Sequence, residues 1–287
     1  VSSGLFHYGR FSALIAASNL VTVNAPATVL GYLRSAADVA YFALPFRLLM
    51  YSAEGLMKVA DVTASVTAAL DETGDKSKVW RLVVVTNRQC FALFMPVAIF
   101  LGVYGTPLLR LWVTPEMAEN TGPLFPILLV SFLFATSGQY NAGGVLFGQG
   151  RHAVFAYGTV VEAIANIVLL LMFVPAYGVV GAAWVSSSVL LAVRGVYLAA
   201  ALCWQNGFPF GEYLWAVYAH GIATGLPVLG LALVLRQYVW PGESWADLIL
   251  AGGTIFTIYF SLAFFSVLEA EHRYQVTHRL VPRFLGR

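Results

Sequence analysis

Eight apolar runs, each long enough to cross a bilayer, leave this chain few ways to fold. They lie at roughly 9–33, 37–69, 80–104, 123–148, 152–174, 178–203, 212–237 and 246–268, bounded by Gly, Pro and charge clusters. A helix crossing ~30 Å of hydrocarbon needs about 20 residues, so each run is read by length and hydropathy as one span. Composition agrees. The chain is 59% hydrophobic and 10% charged with a mean hydropathy of +0.77, whereas soluble domains carry about 25% charge. The expected fold class is an all-α polytopic membrane protein of about eight transmembrane helices.

Other features narrow the class further. A net charge of +2 gives no sign of nucleic-acid binding. Cys90 and Cys203 sit alone in apolar segments, as small buried hydrophobes do. His7, His152, His220, His272 and His278 are scattered without metal-ligand spacing. No metal or cofactor is expected. Arg10, the apolar run after it and Ala25-Pro26-Ala27 mimic a signal peptide, but the run continues through Leu33 at spanning length. The first residue is Val1, which is read as a chain cut from a longer one.

Lys and Arg counts orient the spans, because cytoplasmic loops hold an excess of them. With the amino end inside, that side holds Arg10, Lys76, Lys78, Arg81, Arg151, Arg273, Arg279, Arg283 and Arg287, against Arg34, Arg110 and Arg236 opposite. Both termini are therefore expected in the cytoplasm. Trp80, Trp204 and Trp215 then fall at inner span ends and Trp112, Trp240 and Trp245 at outer ones, where interfacial aromatic rings belong.

The second run is the anomalous one. Its 33 residues make about 50 Å of helix, it contains Pro45, and it carries Arg47, Glu54, Lys58 and Asp61. At 100° per residue those four fall within an arc of about 60°, with Tyr51 beside them. Each charge at mid-membrane costs about 2.5–3.5 kcal/mol, so the face must meet protein or water. Two readings remain open: Glu54 and Lys58 pair at i, i+4 while Lys58 and Asp61 snorkel, or the face lines a polar cavity. Arg47, near mid-span, favours the second.

Arg88, Arg194 and Glu162 lie at related depths and extend the candidate cavity as a vestibule opening to the cytoplasm. Asn24 beside Pro26, and Gln139, Tyr140 and Asn141, either line the same space or bond between helices at about 0.6 kcal/mol each, the favoured alternative. Gly181-Ala182-Ala183 with Ser186-Ser187-Ser188 reads as close helix packing. No HExxH, glycine-rich phosphate loop or GxSxG occurs, and no catalytic residue is expected. A transferase or polymerase relying on a loop carboxylate, Glu116 or Glu119, stays open as another class.

In order, several local signatures resemble the polysaccharide-transporter, or oligosaccharide flippase, family of the multidrug/oligosaccharidyl-lipid/polysaccharide exporter superfamily, of O-antigen flippase type. They are the polar turn Asp71-Glu72-Thr73-Gly74-Asp75-Lys76, Leu111-Trp112-Val113 before a polar loop, Leu146-Phe147-Gly148-Gln149-Gly150-Arg151, and Asn166-Ile167-Val168 leading to Val174-Pro175-Ala176-Tyr177-Gly178-Val179-Val180-Gly181-Ala182-Ala183. The last is the most specific. Members have twelve or fourteen helices in two six-helix lobes. The resemblance makes residues 1–203 the second lobe, 204–268 two additional helices and 269–287 a basic cytoplasmic tail. It implies a missing N-terminal lobe as partner and export of undecaprenyl-pyrophosphate-linked oligosaccharide across a bacterial cytoplasmic membrane by alternating access. Membrane lipid is the other expected partner. A multidrug or metabolite antiporter of the same superfamily and a non-transporting assembly subunit are the alternatives from this resemblance. Arg47, Arg88 and Arg194 as phosphate-binding candidates come from the residues themselves, since guanidinium recognises phosphate bidentately.

Overall fold

Hydrocarbon offers no partner to a free N–H or C=O, so a spanning chain must close its hydrogen bonds within helices. The computed structural model describes the backbone of residues 2–72, 75–137 and 139–267, and their side chains except those of 2–8, 57–62, 64, 65, 71, 72, 137 and 140. Among the described residues every regular element is helical. They are α1 (Ser2–Leu33), α2 (Ala36–Glu72), α3 (Lys76–Trp112), α4 (Pro115–Thr121), α5 (Leu124–Ser131), α6 (Tyr140–Gly148), α7 (His152–Leu190), α8 (Ala199–Asn206), α9 (Phe210–Tyr238) and α10 (Trp245–Ser266). Phe132–Ser137 after α5, and Leu191–Leu198 joining α7 to α8, are wound as π-helix.

Five stretches, Gly9–Leu33, Lys76–Trp112, His152–Asn206, Phe210–Tyr238 and Trp245–Ser266, are long and apolar enough to cross a membrane, and the bent pair Pro115–Thr121 with Leu124–Gly148 makes a sixth. His152–Asn206 has 55 residues, or ~80 Å of helix, too long for one crossing. It breaks at Gly178, whose φ of 56° and ψ of −135° are not helical. That break divides the stretch in two, and α2, expected as a span, is not among the stretches apolar enough to cross. The polar segment at 114–120, expected as a loop, instead forms α4: Thr114 accepts the Met117 N–H and Pro115 supplies the first turn. The tail 269–287 lies outside the described residues.

Consecutive turns alternate between two ends of the bundle. The Arg34 end holds the turns at 34–35, 113–114 and 239–244 and the Gly178 break, and the Arg151 end holds those at 149–151 and 207–209. At the centre stands α3, buried along most of its length from Val79 to Leu109. It shares one core with α1, α2, α5 and α7, and a second with α9 and α10 through Phe91, Met95, Ile99, Val228 and Ile255. The last two helices thus dock on α3: Gly221 and Gly225 leave room for Phe91 and Met95, which an added Cβ would meet at 2.6 and 2.9 Å.

Proline inside a helix orphans the carbonyl four residues earlier, and neighbouring helices supply donors. Pro26 frees the Thr22 carbonyl, which accepts from Asn166 Nδ2 at 3.2 Å. Pro107 frees that of Val103, which accepts from Arg236 Nη1 at 2.5 Å. Near the α5–α6 break the Phe134 carbonyl accepts from the Tyr218 hydroxyl at 2.7 Å. Ser187, in the small-residue string, donates to the Ile127 carbonyl at 2.6 Å while Gly181, Ala182 and Ala183 are buried, as close packing requires.

Candidate functional site

On α2 a stripe of four exposed residues, Ala40, Arg47, Tyr51 and Glu54, runs along one helix face at intervals of seven, four and three. Arg47 lies nine residues past Asp38, or ~13 Å, close to the middle of a ~30 Å hydrocarbon layer. Neither Arg47 nor Glu54 has a hydrogen-bond or ion-pair partner among the described residues. The ~10 Å of helix between them keeps them from pairing with each other. Lys58 and Asp61 continue the same arc in sequence, but their side chains lie outside the described residues.

A groove of about 190 Å³ between α1 and α2 is lined by Arg47, Tyr51, Glu54, Asn24, Val23 and Ala27, with Phe42 and Phe46 deeper. Asn24 is exposed there and donates Nδ2 to the Leu20 carbonyl at 2.8 Å. A second groove, about 360 Å³, follows the other flank of α2 and shares Arg47 and Tyr51, with Trp112, Val113 and Met117 as its far wall. Arg47 is thus the charge common to both grooves.

Glu162 and Arg194, expected in the same vestibule, find each other instead. Glu162 on α7 is fully buried and accepts from Arg194 Nε at 3.1 Å through Oε1 and 2.9 Å through Oε2. Arg194, in the second π-helical segment, also donates Nη2 to Asn19 Oδ1 at 2.7 Å. Asn19 and Asn24 are five residues apart, or ~140° around α1, so the cluster sits on the α7 side of α1 and Asn24 faces α2. The charge of each member answers the other's, and the pair ties three segments together.

Of the two readings open for Asn141, the structure shows bonding between helices. Asn141 is completely buried; its Oδ1 accepts from Thr63 Oγ1 at 2.9 Å, its Nδ2 donates to Cys90 Sγ at 3.7 Å and its backbone N–H donates to Asn87 Oδ1 at 3.0 Å. From Asn87 the chain of bonds runs on at 2.7 Å per step: Asn87 Nδ2 to the Tyr213 hydroxyl, Tyr213 to Gln139 Oε1, Gln139 Nε2 to the Tyr218 hydroxyl. Such a satisfied network fixes α9 and the broken α5–α6 span against α2 and α3. Asn87, Asn141 and Tyr213 are buried away from both grooves. Arg88 is half-buried on α3, next to Asn87 in sequence.

Sequence reasoning passed over Asn19, which carries the same signal as Asn24, an amide inside an apolar run. It also passed over Trp112 and Met117 as groove walls, and over Asn87 with Tyr213, whose 126-residue separation leaves no local signal. Among the described residues no group of three His, Cys, Asp or Glu is placed to hold a metal. Cys90 and Cys203 are separately buried.

No family model and no curated protein sequence matches the chain. Among solved structures, its fold is similar to that of the lipid II flippase MurJ in an inward closed conformation. The TM-score is 0.69 at 14% identity, over 92% of this chain and 54% of that one. The chain spans about half the length of that flippase and shares its all-helical membrane fold.

Proposed function

We propose that this chain is one lobe of a flippase that moves a lipid-linked oligosaccharide across a bacterial cytoplasmic membrane. One observation carries the reading: Arg47 stands exposed near mid-span, without a partner among the described residues, in a groove it shares with Asn24, Tyr51 and Glu54. A bare charge against lipid is costly, so this face belongs against a wet cavity. A second lobe opposite α1 and α2, preceding this one in a longer polypeptide, would enclose it. The 54% coverage of the matched flippase supports that arrangement.

In such a cavity Arg47 binds the phosphate of the substrate through paired N–H donors, and Glu54 and Asn24 take hydroxyl or amide groups of the sugar. Lys58, Asp61 and Arg88 are assigned to the same cavity, and the lipid tail stays in the bilayer. Glu162 and Arg194 take part as a tie that keeps the cavity wall in place, and Asn141 as part of the scaffold behind it. Alternating access follows from rocking of the two lobes. The Lys and Arg count puts the Arg151 end and both termini in the cytoplasm, and the resemblance makes undecaprenyl pyrophosphate the carrier.

Glu116 at the Arg34 end already accepts from the Tyr41 hydroxyl at 3.1 Å, which weighs against a loop-carboxylate transferase. Glu54, without a partner among the described residues, favours a second reading, a proton-coupled antiporter; there Glu54→Gln would abolish drug efflux in everted vesicles. To test the first, lipid-linked sugar in the inner leaflet is measured in cells carrying the whole transporter. Arg47→Ala should cause it to accumulate and Arg47→Lys should partly relieve it. Normal translocation in both variants removes the proposal.

A further inference from the structure

Resting on the flippase reading above, we infer that Trp112, Tyr51 and Arg47 form a glycosyl-phosphate subsite on the second flank of α2, with a pyranose ring stacked on Trp112 and its phosphate on Arg47. The groove they line has about 360 Å³, within the ~300–1,000 Å³ range of small-ligand sites. Its floor is cleared by the short side chains of Ala40 and Ala43, and among the described residues Arg47 is the only charged side chain in its lining.

The chain turn after α3 gives Trp112 this position. At Thr114 the backbone turns extended, with φ −148° and ψ 156°, and the Thr114 hydroxyl accepts the Met117 N–H at 3.2 Å to start α4. Tyr41 then holds α4 to α2 through Glu116 at 3.1 Å. An interfacial tryptophan ordinarily anchors a span in the headgroup layer. This one is 54% exposed and yet lines a groove with an arginine. A flat apolar indole face beside a bidentate phosphate donor is the pair that a sugar phosphate needs: the C–H face of the pyranose covers the ring, and the guanidinium takes the phosphate. Tyr51, 63% exposed, adds a hydroxyl that both donates and accepts for the sugar's own hydroxyls. An acyl chain would leave Arg47 unanswered, and a simple headgroup phosphate would leave Trp112 uncovered.

Saturation-transfer NMR on the full chain in phosphatidylcholine nanodiscs tests this with N-acetylglucosamine 1-phosphate, glycerol 3-phosphate and inorganic phosphate as probes. Expected are saturation of the pyranose ring protons and a preference for the sugar phosphate over glycerol 3-phosphate. Trp112→Leu and the groove-filling Ala40→Leu should each weaken the sugar phosphate by about two- to tenfold, the range of one aromatic contact. Both should leave inorganic phosphate unchanged, and Trp112→Phe should keep most of the binding. Arg47→Gln should weaken all three probes. If neither Trp112→Leu nor Ala40→Leu weakens the sugar phosphate while Arg47→Gln does, the subsite is wrong and the charged cavity stands. Equal binding of glycerol 3-phosphate overturns the sugar assignment in favour of a lipid headgroup. Absence of binding by any probe overturns both.

Discussion

Removing Arg194 would leave Glu162 with no solvent exposure and no counter-charge, because both carboxylate oxygens accept from Arg194 at 3.1 and 2.9 Å. Arg194→Met keeps the aliphatic stem, so the loss is electrostatic: breaking one side of a buried pair costs about 3–5 kcal/mol. The link to Asn19 at 2.7 Å is lost with it. At about 2 °C per kcal/mol for a chain of this size, the unfolding midpoint should fall by about 6–10 °C. Adding Glu162→Gln removes the stranded charge, so the double variant should recover most of that loss, a coupling of about 2–3 kcal/mol. The assay is thermal unfolding of the four proteins in nanodiscs, at one scan rate because unfolding of such a chain is irreversible. Arg47→Met serves as control: Arg47 is exposed with no partner among the described residues, so its loss strands no opposite charge and should not lower the midpoint. If Arg194→Met behaves like Arg47→Met, or the double variant is no better than the single, the pair is not the tie described here.

Gly178→Ala should lower stability by about 1–3 kcal/mol, the range for strained backbone, because φ is 56° there and the new Cβ would meet Arg34 Nη2 at 3.0 Å. Gly230→Ala, in open space on α9, should be neutral or stabilising in the same unfolding scan. Tyr213→Phe leaves Asn87 Nδ2 and Gln139 Oε1 each short of a buried partner, for a loss of about 1–3 kcal/mol; an unchanged midpoint would refute the network. The Asp75 carboxylate at the start of α3 is held down to about 2 by bonds from Ser77 and Lys78, from an ordinary 3.8. Because the folded value is the lower one, its capping contribution is complete above pH 3.8 and is lost as the pH falls through about 2. A carboxyl NMR titration of Asp75 with a midpoint near 3.8 would contradict the cap.

The spans were legible because lipid permits only helices, so run length alone located them. The break at Gly178 was legible too, from a Pro-x-x-Gly turn between two apolar runs. Helix α4 left a readable cap in Thr114-Pro115, overshadowed by the polarity of the segment. The π-helical winding at Leu191–Leu198 left none. The stripe of Arg47, Tyr51 and Glu54 could be read from a 100° step, because angular position on one helix is a property of that helix alone. Depth does not fix the facing direction of residues on different helices. Hence Glu162, Arg194 and Asn141 share a level with Arg47 in sequence yet turn away from it in the fold.

That division orients the lobe. Six of the polar groups with partners, Glu162, Arg194, Asn19, Asn87, Asn141 and Tyr213, lie between helices, where they are answered at 2.7–3.1 Å. On the α9–α10 side many of the large exposed residues are apolar, among them Leu226, Leu233, Ile249 and Phe265 at 45% exposure or more, with Glu212, Arg236 and Glu243 exposed towards the ends and His220 exposed along α9. On the α1–α2 side Arg47 and Glu54 stand exposed and, among the described residues, unanswered. Lipid cannot satisfy both faces, because an arginine near mid-span needs water or a counter-charge. In the proposed flippase, the side of α1 and α2 is therefore where a second lobe and a polar substrate would meet this one, and α9–α10 would face the bilayer.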